Sequence, residues 1–206
     1  MPIINFSNPP WNPQPPNPPI PQQCGGQVAG TYTDQVTDPQ TQVSFIIASG
    51  KMSLVNFGAN RMLFFTTVDC SNTVQPSTVL VIRFSTPQPR ITFRLSFDEH
   101  GVAPTLVQFF KDQGNPQQTP LSEVRLTAPA VFNDVVFDRC CFPAREVIIR
   151  SDRPENSLDD LFWGPSQTSH TIRIGGREFK FRCLCVMERI RVILSALLKS
   201  RPPFGA

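Results

Sequence analysis

Tyrosine is almost absent from this chain: among 206 residues only Tyr32 occurs, and histidine appears only at His100 and His170. Two histidines so far apart leave little from which to build a catalytic triad. No G-x-S-x-G, G-x-x-x-x-G-K-[ST] or H-E-x-x-H motif is present. The sequence therefore lacks the signatures of a nucleophile elbow, a phosphate cradle and a helical zinc pair. Charged residues make up 17%, against about 25% in an average soluble domain. A net charge of +3 spread over scattered arginines is too slight for the basic footprint of a nucleic-acid-binding surface. No run of 18 apolar residues occurs, so no membrane-spanning helix is expected. The opening "MPIINFSNPP" has no cationic start and no apolar stretch of useful length, so no secretory leader is expected either.

Phenylalanine and proline are abundant, with 17 and 22 residues, and hydrophobic residues reach 40%. Phenylalanine fills an interior without a hydroxyl that needs a buried partner. A Phe-rich, Tyr-poor chain thus points to a core more than to a binding surface. The six cysteines are Cys24, Cys70, Cys140, Cys141, Cys183 and Cys185. In a chain without a leader they are expected to be free thiols in a reducing compartment. The pairs present are an adjacent "CC" and a "CLC", not the C-x-x-C of common zinc sites. Neither a metal nor a cofactor is expected. The carboxylate pairs in "FDEH" and "SLDDLF" read as solvated loop acids, and the chain as non-enzymatic.

Three regions differ in character. Residues 1–24, with "NPPWNPQPPNPPIPQQ", are rich in Pro, Asn and Gln. Proline fixes φ and removes amide donors, so a flexible, extended arm is expected. It serves as a spacer or, through Trp11, as a ligand for an aromatic groove. Residues 25–185 alternate short apolar runs with turn residues. The runs include "KMSLVNF", "TVLVIRF", "RITFRLSF", "TLVQFF", "EVIIRS" and "HTIRI", and the turns include "ASGK", "GAN" and "STPQP". Period-two alternation marks half-buried strands, and many short strands at regular spacing predict an antiparallel sandwich or barrel. Residues 186–206 begin with "VMERIRVILSALLKSR". There Val186, Ile190, Ile193, Leu194, Leu197 and Leu198 fall at helical spacing, which predicts an amphipathic helix that "RPP" ends.

The stretch "FWGPSQTSHTIRIGGREFKFRCLCV", with "NDVVFDRCCFPAREVIIRSD" upstream of it, resembles a segment of the galectins, the soluble β-galactoside-binding lectins. Trp-Gly opens a loop there, and two strands follow at similar spacing. "IPQQCGG" after a proline-rich arm resembles the start of a chimera-type galectin domain. In a second register "VSFIIASGKMSLVNFGANRMLFFTT" resembles the early strands of the family, with "NFGANR" where galectins have H-F-N-P-R. The resemblance implies an all-β galectin-like jelly roll and a ligand site at Trp163, with Arg145 as a loose substitute for a sugar-binding arginine. The second register implies Asn56, Asn60 and Arg61 instead. The later register departs from the family's polar set: Asp138 stands for its His, Cys140 or Cys141 for its Asn, Ser151 for its second Asn, and Ser166 lies near its Glu. A carboxylate only accepts and thiols donate weakly, so ordinary galactoside affinity is not expected. Trp163 itself reads either as a ligand platform or as a residue capping the edge of the sandwich beside the acidic loop "ENSLDD".

The expected protein is a galectin-like β-sandwich with a disordered Pro-rich arm and a C-terminal helix. It would recognise a protein surface, ahead of a glycan, in the cytoplasm or after leaderless secretion. The alternative is a structural or assembly component, such as a viral capsid, matrix or accessory protein, in which arm and helix join copies of the chain.

Overall fold

A computed structural model describes residues 2–4, 6, 35–38, 40–57, 60–66, 77–99, 103–113, 118–167, 170–174 and 177–181. The described residues are all β and contain no helix. Two antiparallel sheets of six strands each face one another. In the first sheet the order is β10 (Asn133–Asp138), β7 (Arg90–Phe97), β12 (Glu155–Gly164), β5 (Asn60–Thr66) and β4 (Lys51–Phe57). A short β1 (Ile3–Ile4) pairs with the second half of β12, beyond the reach of β5. The second sheet runs β2 (Gln35–Thr37), β3 (Ser44–Ser49), β6 (Thr78–Gln88), β11 (Ala144–Ser151), β8 (Thr105–Phe110) and β9 (Ser122–Leu126). A separate hairpin joins β13 (His170–Ile174) to β14 (Arg177–Phe181).

The alternation in the sequence sets the two faces. Along β7, Ile91, Phe93, Leu95 and Phe97 are buried, while Arg90, Thr92, Arg94 and Ser96 between them are partly exposed. Leu80, Ile82 and Phe84 of β6 and Val107 and Phe109 of β8 face them from the other sheet and belong to the same core. Ring pairs join the layers: Phe84 meets Trp163 edge-on at 5.7 Å, and Phe109 stacks on Phe137 at 4.7 Å. Edge-on and offset pairs add about 0.5–1.5 kcal/mol beyond area burial. Between β3 and β4 the chain crosses from one sheet to the other at Gly50, whose φ is +93°. A Cβ there would lie 2.5 Å from the Thr66 carbonyl oxygen, so only glycine fits this corner.

Three expectations are revised by the structure. The first residues of the expected arm are part of the sandwich: Ile3 and Ile4 pair with Phe162 and Leu161, and Phe6 is 0% exposed with its ring edge-on to Phe45 at 5.6 Å. Residues 7–24 of the arm and the helix expected over 186–206 lie outside the described residues. Next, the stretch read as an acidic loop is a strand of ten residues between β5 and β7. Its alternation is hidden by a bulge between Asp159 and Phe162, at which Asp160 takes a φ of +49°. The inward set therefore runs Asn156, Leu158, Leu161, Trp163 instead of keeping strict period two. Asp159 is buried and paired with Arg94 rather than solvated.

The last revision concerns sulfur. Cys140 and Cys141, after β10, are both disulfide-bonded, so not all six cysteines are free thiols. The other four lie outside the described residues. Protein unfolded without reductant is expected to titrate fewer than six thiols and to reach six only after reduction. Six equivalents before reduction would contradict the bonding seen here.

Candidate functional site

Pairing register fixes what the first sheet presents to solvent. Residues directly opposite one another share a face. Phe162 stands opposite both Thr92 and Ile3, and Val136 is opposite Thr92. These four make one row across β1, β12, β7 and β10 on the outer face. Val136 is 57% exposed and Ile3 44%. Phe132, just before β10, is also exposed and lies under the Arg94 guanidinium at 5.2 Å. On one side of the row Arg90 is opposite Asp138 and Gly164; on the other, Arg94 is opposite Asp134 and Asp159.

A cavity of about 240 Å³ opens among Arg90, Thr92, Phe162 and Trp163. Gly164 adds no side chain to the row across from Arg90, which leaves room for it. Trp163 belongs to the hydrophobic core at 5% exposure, so the indole forms one wall and does not offer an open stacking face. Phe162, on the opposite face of β12, is the more accessible ring.

The charged groups around this face are mostly committed. Arg94 donates to Asp159 at 2.7 Å and lies 2.6 Å from a carboxylate oxygen of Asp160. The Asp138 carboxylate accepts from the Ser166 hydroxyl and, at 3.2 Å, from the Gln167 backbone N–H. These bonds tie the exit of β12 to the end of β10. Among the described residues no group of three or more His, Cys, Asp or Glu is placed to hold a metal.

The residues expected from the sequence fall on different elements. Trp163 is on β12 of the first sheet. Arg145 is at a bulge in β11 of the second sheet and donates to the Ser85 carbonyl at 2.9 Å. Asn56, Asn60 and Arg61 fall at the hairpin end of β4 and β5, where Asn56 is opposite Arg61; only their backbone is described. Ser151, the counterpart of a galectin Asn, is buried and bonded to the Thr105 hydroxyl at 3.0 Å. The sequence reading missed Ile3, Arg90, Thr92, Val136 and Phe162. The signal for Arg90 and Thr92 was the alternation of "RITFRLSF", which puts them on one face; nothing in the sequence marks which valine of "DVVF" faces out.

No family model matches the chain, and no curated protein matches it significantly. Solved structures are similar only distantly. The K1 cleaved adhesin domain of Lys-gingipain from Porphyromonas gingivalis W83 is 12% identical, over 68% of this chain and 93% of that one, with a TM-score of 0.41. A family 29 carbohydrate-binding module from Piromyces equi is 13% identical, over 66% and 91%, with a TM-score of 0.40. TmCBM61, solved in complex with beta-1,4-galactotriose, is 10% identical, over 63% and 86%, with a TM-score of 0.33. None of these three is a galectin. Likeness this remote carries no argument about ligand or reaction.

Proposed function

We propose that this chain is a non-catalytic binding domain that recognises a protein surface through the outer face of its first sheet. The observation that supports this reading is the row Ile3, Phe162, Thr92 and Val136 across four paired strands, in which exposed Ile3 and Val136 flank half-buried Phe162 and Thr92. A sheet face turned to water normally carries polar residues. Contiguous apolar surface with a polar rim marks an interaction site. Asp134, Asp138, Asp160, Arg90 and Arg94 supply that rim. Aliphatic Ile3 and Val136 suit the side chains of a protein partner better than the hydroxyl-rich surface of a sugar, which needs many fixed donors and acceptors. The disulfide-bonded Cys140 and Cys141 favour action outside a reducing cytosol.

The test is selection from a random phage-displayed peptide library on the immobilised full chain, with a glycan array in parallel. Peptides whose binding is lost on Val136→Asp, together with a silent array, are the expected result. Val136 is more than half exposed, so this substitution should leave the fold intact. Glycan binding that Val136→Asp abolishes, with no such peptides, would overturn the protein-surface reading. Concentration-dependent dimerisation abolished by the same substitution would give the face to a second copy of the chain, as the assembly alternative requires.

A further inference from the structure

We infer that the cavity beside Phe162 receives a single carboxylate, carried by an acidic residue of the partner polypeptide with aliphatic residues next to it. The inference rests on the outer face being a protein-binding surface, and it names what that surface reads.

Arg90 and Arg94 point from the same face of β7 and have opposite fates. Arg94 is held by Asp159 and Asp160 and lies over Phe132. Arg90 is directly across from Asp138, an arrangement in which opposite charges normally pair. Asp138 is instead engaged by the Ser166 hydroxyl and the Gln167 N–H. Among the described residues the Arg90 guanidinium makes no side-chain hydrogen bond or ion pair, and neither does the Thr92 hydroxyl. Both line the cavity. A guanidinium with five N–H groups and no acceptor, on a half-buried residue, is a fork suited to a carboxylate.

The surroundings narrow the ligand. The cavity, at about 240 Å³, falls below the ~300–1,000 Å³ of sites for drug-sized molecules, so it admits one side-chain-sized group. Phe162 and Trp163 form its aromatic wall beside Arg90 and Thr92, and Ile3 and Val136 extend the same row on either side. Aliphatic neighbours of the incoming carboxylate would cover them. A polyanionic chain fits less well, because Asp134 and Asp160 stand on the same face and repel a run of negative charge. Among the described lining residues an acidic sugar would find only Arg90 and Thr92 to satisfy its polar groups.

The experiment uses the Val136-dependent peptides selected on the full chain. They are expected to share an Asp or Glu beside Leu, Ile or Val. A synthetic copy with Glu→Gln, or Asp→Asn, should bind about ten- to a hundredfold more weakly, the usual range for a charge-assisted hydrogen bond. Arg90→Gln in the protein should give the same loss, after which the peptide change should have no further effect. Arg90→Glu should reverse the selection toward peptides carrying Lys or Arg, which a merely unfolded variant cannot do. Val136-dependent peptides without an acid, bound equally by Arg90→Gln, would overturn the carboxylate inference and leave the protein-surface reading standing. Absence of any Val136-dependent peptide would overturn both. Sodium D-glucuronate that shifts the Thr92 and Phe162 amides by NMR in the wild type but not in Arg90→Gln, without acidic peptides, would assign the cavity to an acidic sugar and overturn the inference as stated.

Discussion

Replacing Phe6 with alanine is expected to cost about 3–5 kcal/mol of folding stability, the range for a phenylalanine deleted from a packed interior. Phe6 has no exposed surface, and its ring meets Phe45 of the second sheet at 5.6 Å. Two residues earlier β1 supplies ladder hydrogen bonds to the half of β12 that β5 leaves uncovered. Phe6 therefore sits where the first sheet's extra strand meets the second sheet's core. Against the 5–15 kcal/mol that holds typical domains folded, such a loss is severe. Urea denaturation followed by far-UV circular dichroism should show a much lower midpoint for Phe6→Ala. Phe6→Leu, which keeps most of the volume, should lose less than about 1.5 kcal/mol. A chain beginning at Gly25 should be destabilised as much as Phe6→Ala or more. A truncated chain with the stability of the full one would show that β1 and Phe6 add nothing.

Trp163→Ala should be of similar size, about 3–5 kcal/mol, and its signature should be a fold defect. Trp163 is inward on β12 and meets Phe84 of the facing sheet at 5.7 Å. Phe162→Ser, one position along on the outer face, should lower stability far less while removing the selected peptides. The two substitutions thus separate core from recognition surface within a single dipeptide. Neither protein nor variant should be retained on lactose, because a buried indole cannot stack on a sugar ring. Lactose retention that Trp163→Ala abolishes without loss of stability would restore Trp163 as a ligand platform.

Most of the sandwich was legible because its strands obey a simple period. "RITFRLSF" and "TLVQFF" correspond residue for residue to β7 and β8. β12 was not legible, although it lies between β5 and β7. One bulge shifts its inward set, and two adjacent aspartates look like a solvated loop until Arg94 from the next strand is placed beside them. β1 was hidden by its neighbours in sequence, since the prolines that follow make "PIINF" read as the start of an arm. The bonding of Cys140 and Cys141 was not legible, because a thiol's partner is a matter of space.

The candidate site was less legible than the fold, for a physical reason. Val135 and Val136 are the same residue type, yet one is buried and the other exposed. Only their register against Phe93 and Thr92 tells them apart. Arg90 has no distinguishing neighbour in sequence. Its interest arises because Asp138, across the ladder, turns to Ser166 and Gln167, which lie beyond the end of β12. Trp163 is singled out by the galectin resemblance, while the more exposed ring is the phenylalanine before it.

Titrating a selected peptide into isotope-labelled protein and following the backbone amides would show directly which face is used. The expected shifts fall on Ile3, Thr92, Val136 and Phe162 and the strands that carry them. Shifts confined to the outer face of the second sheet, around Arg83, Leu106 and Ile148, would contradict the assignment of recognition to the first sheet.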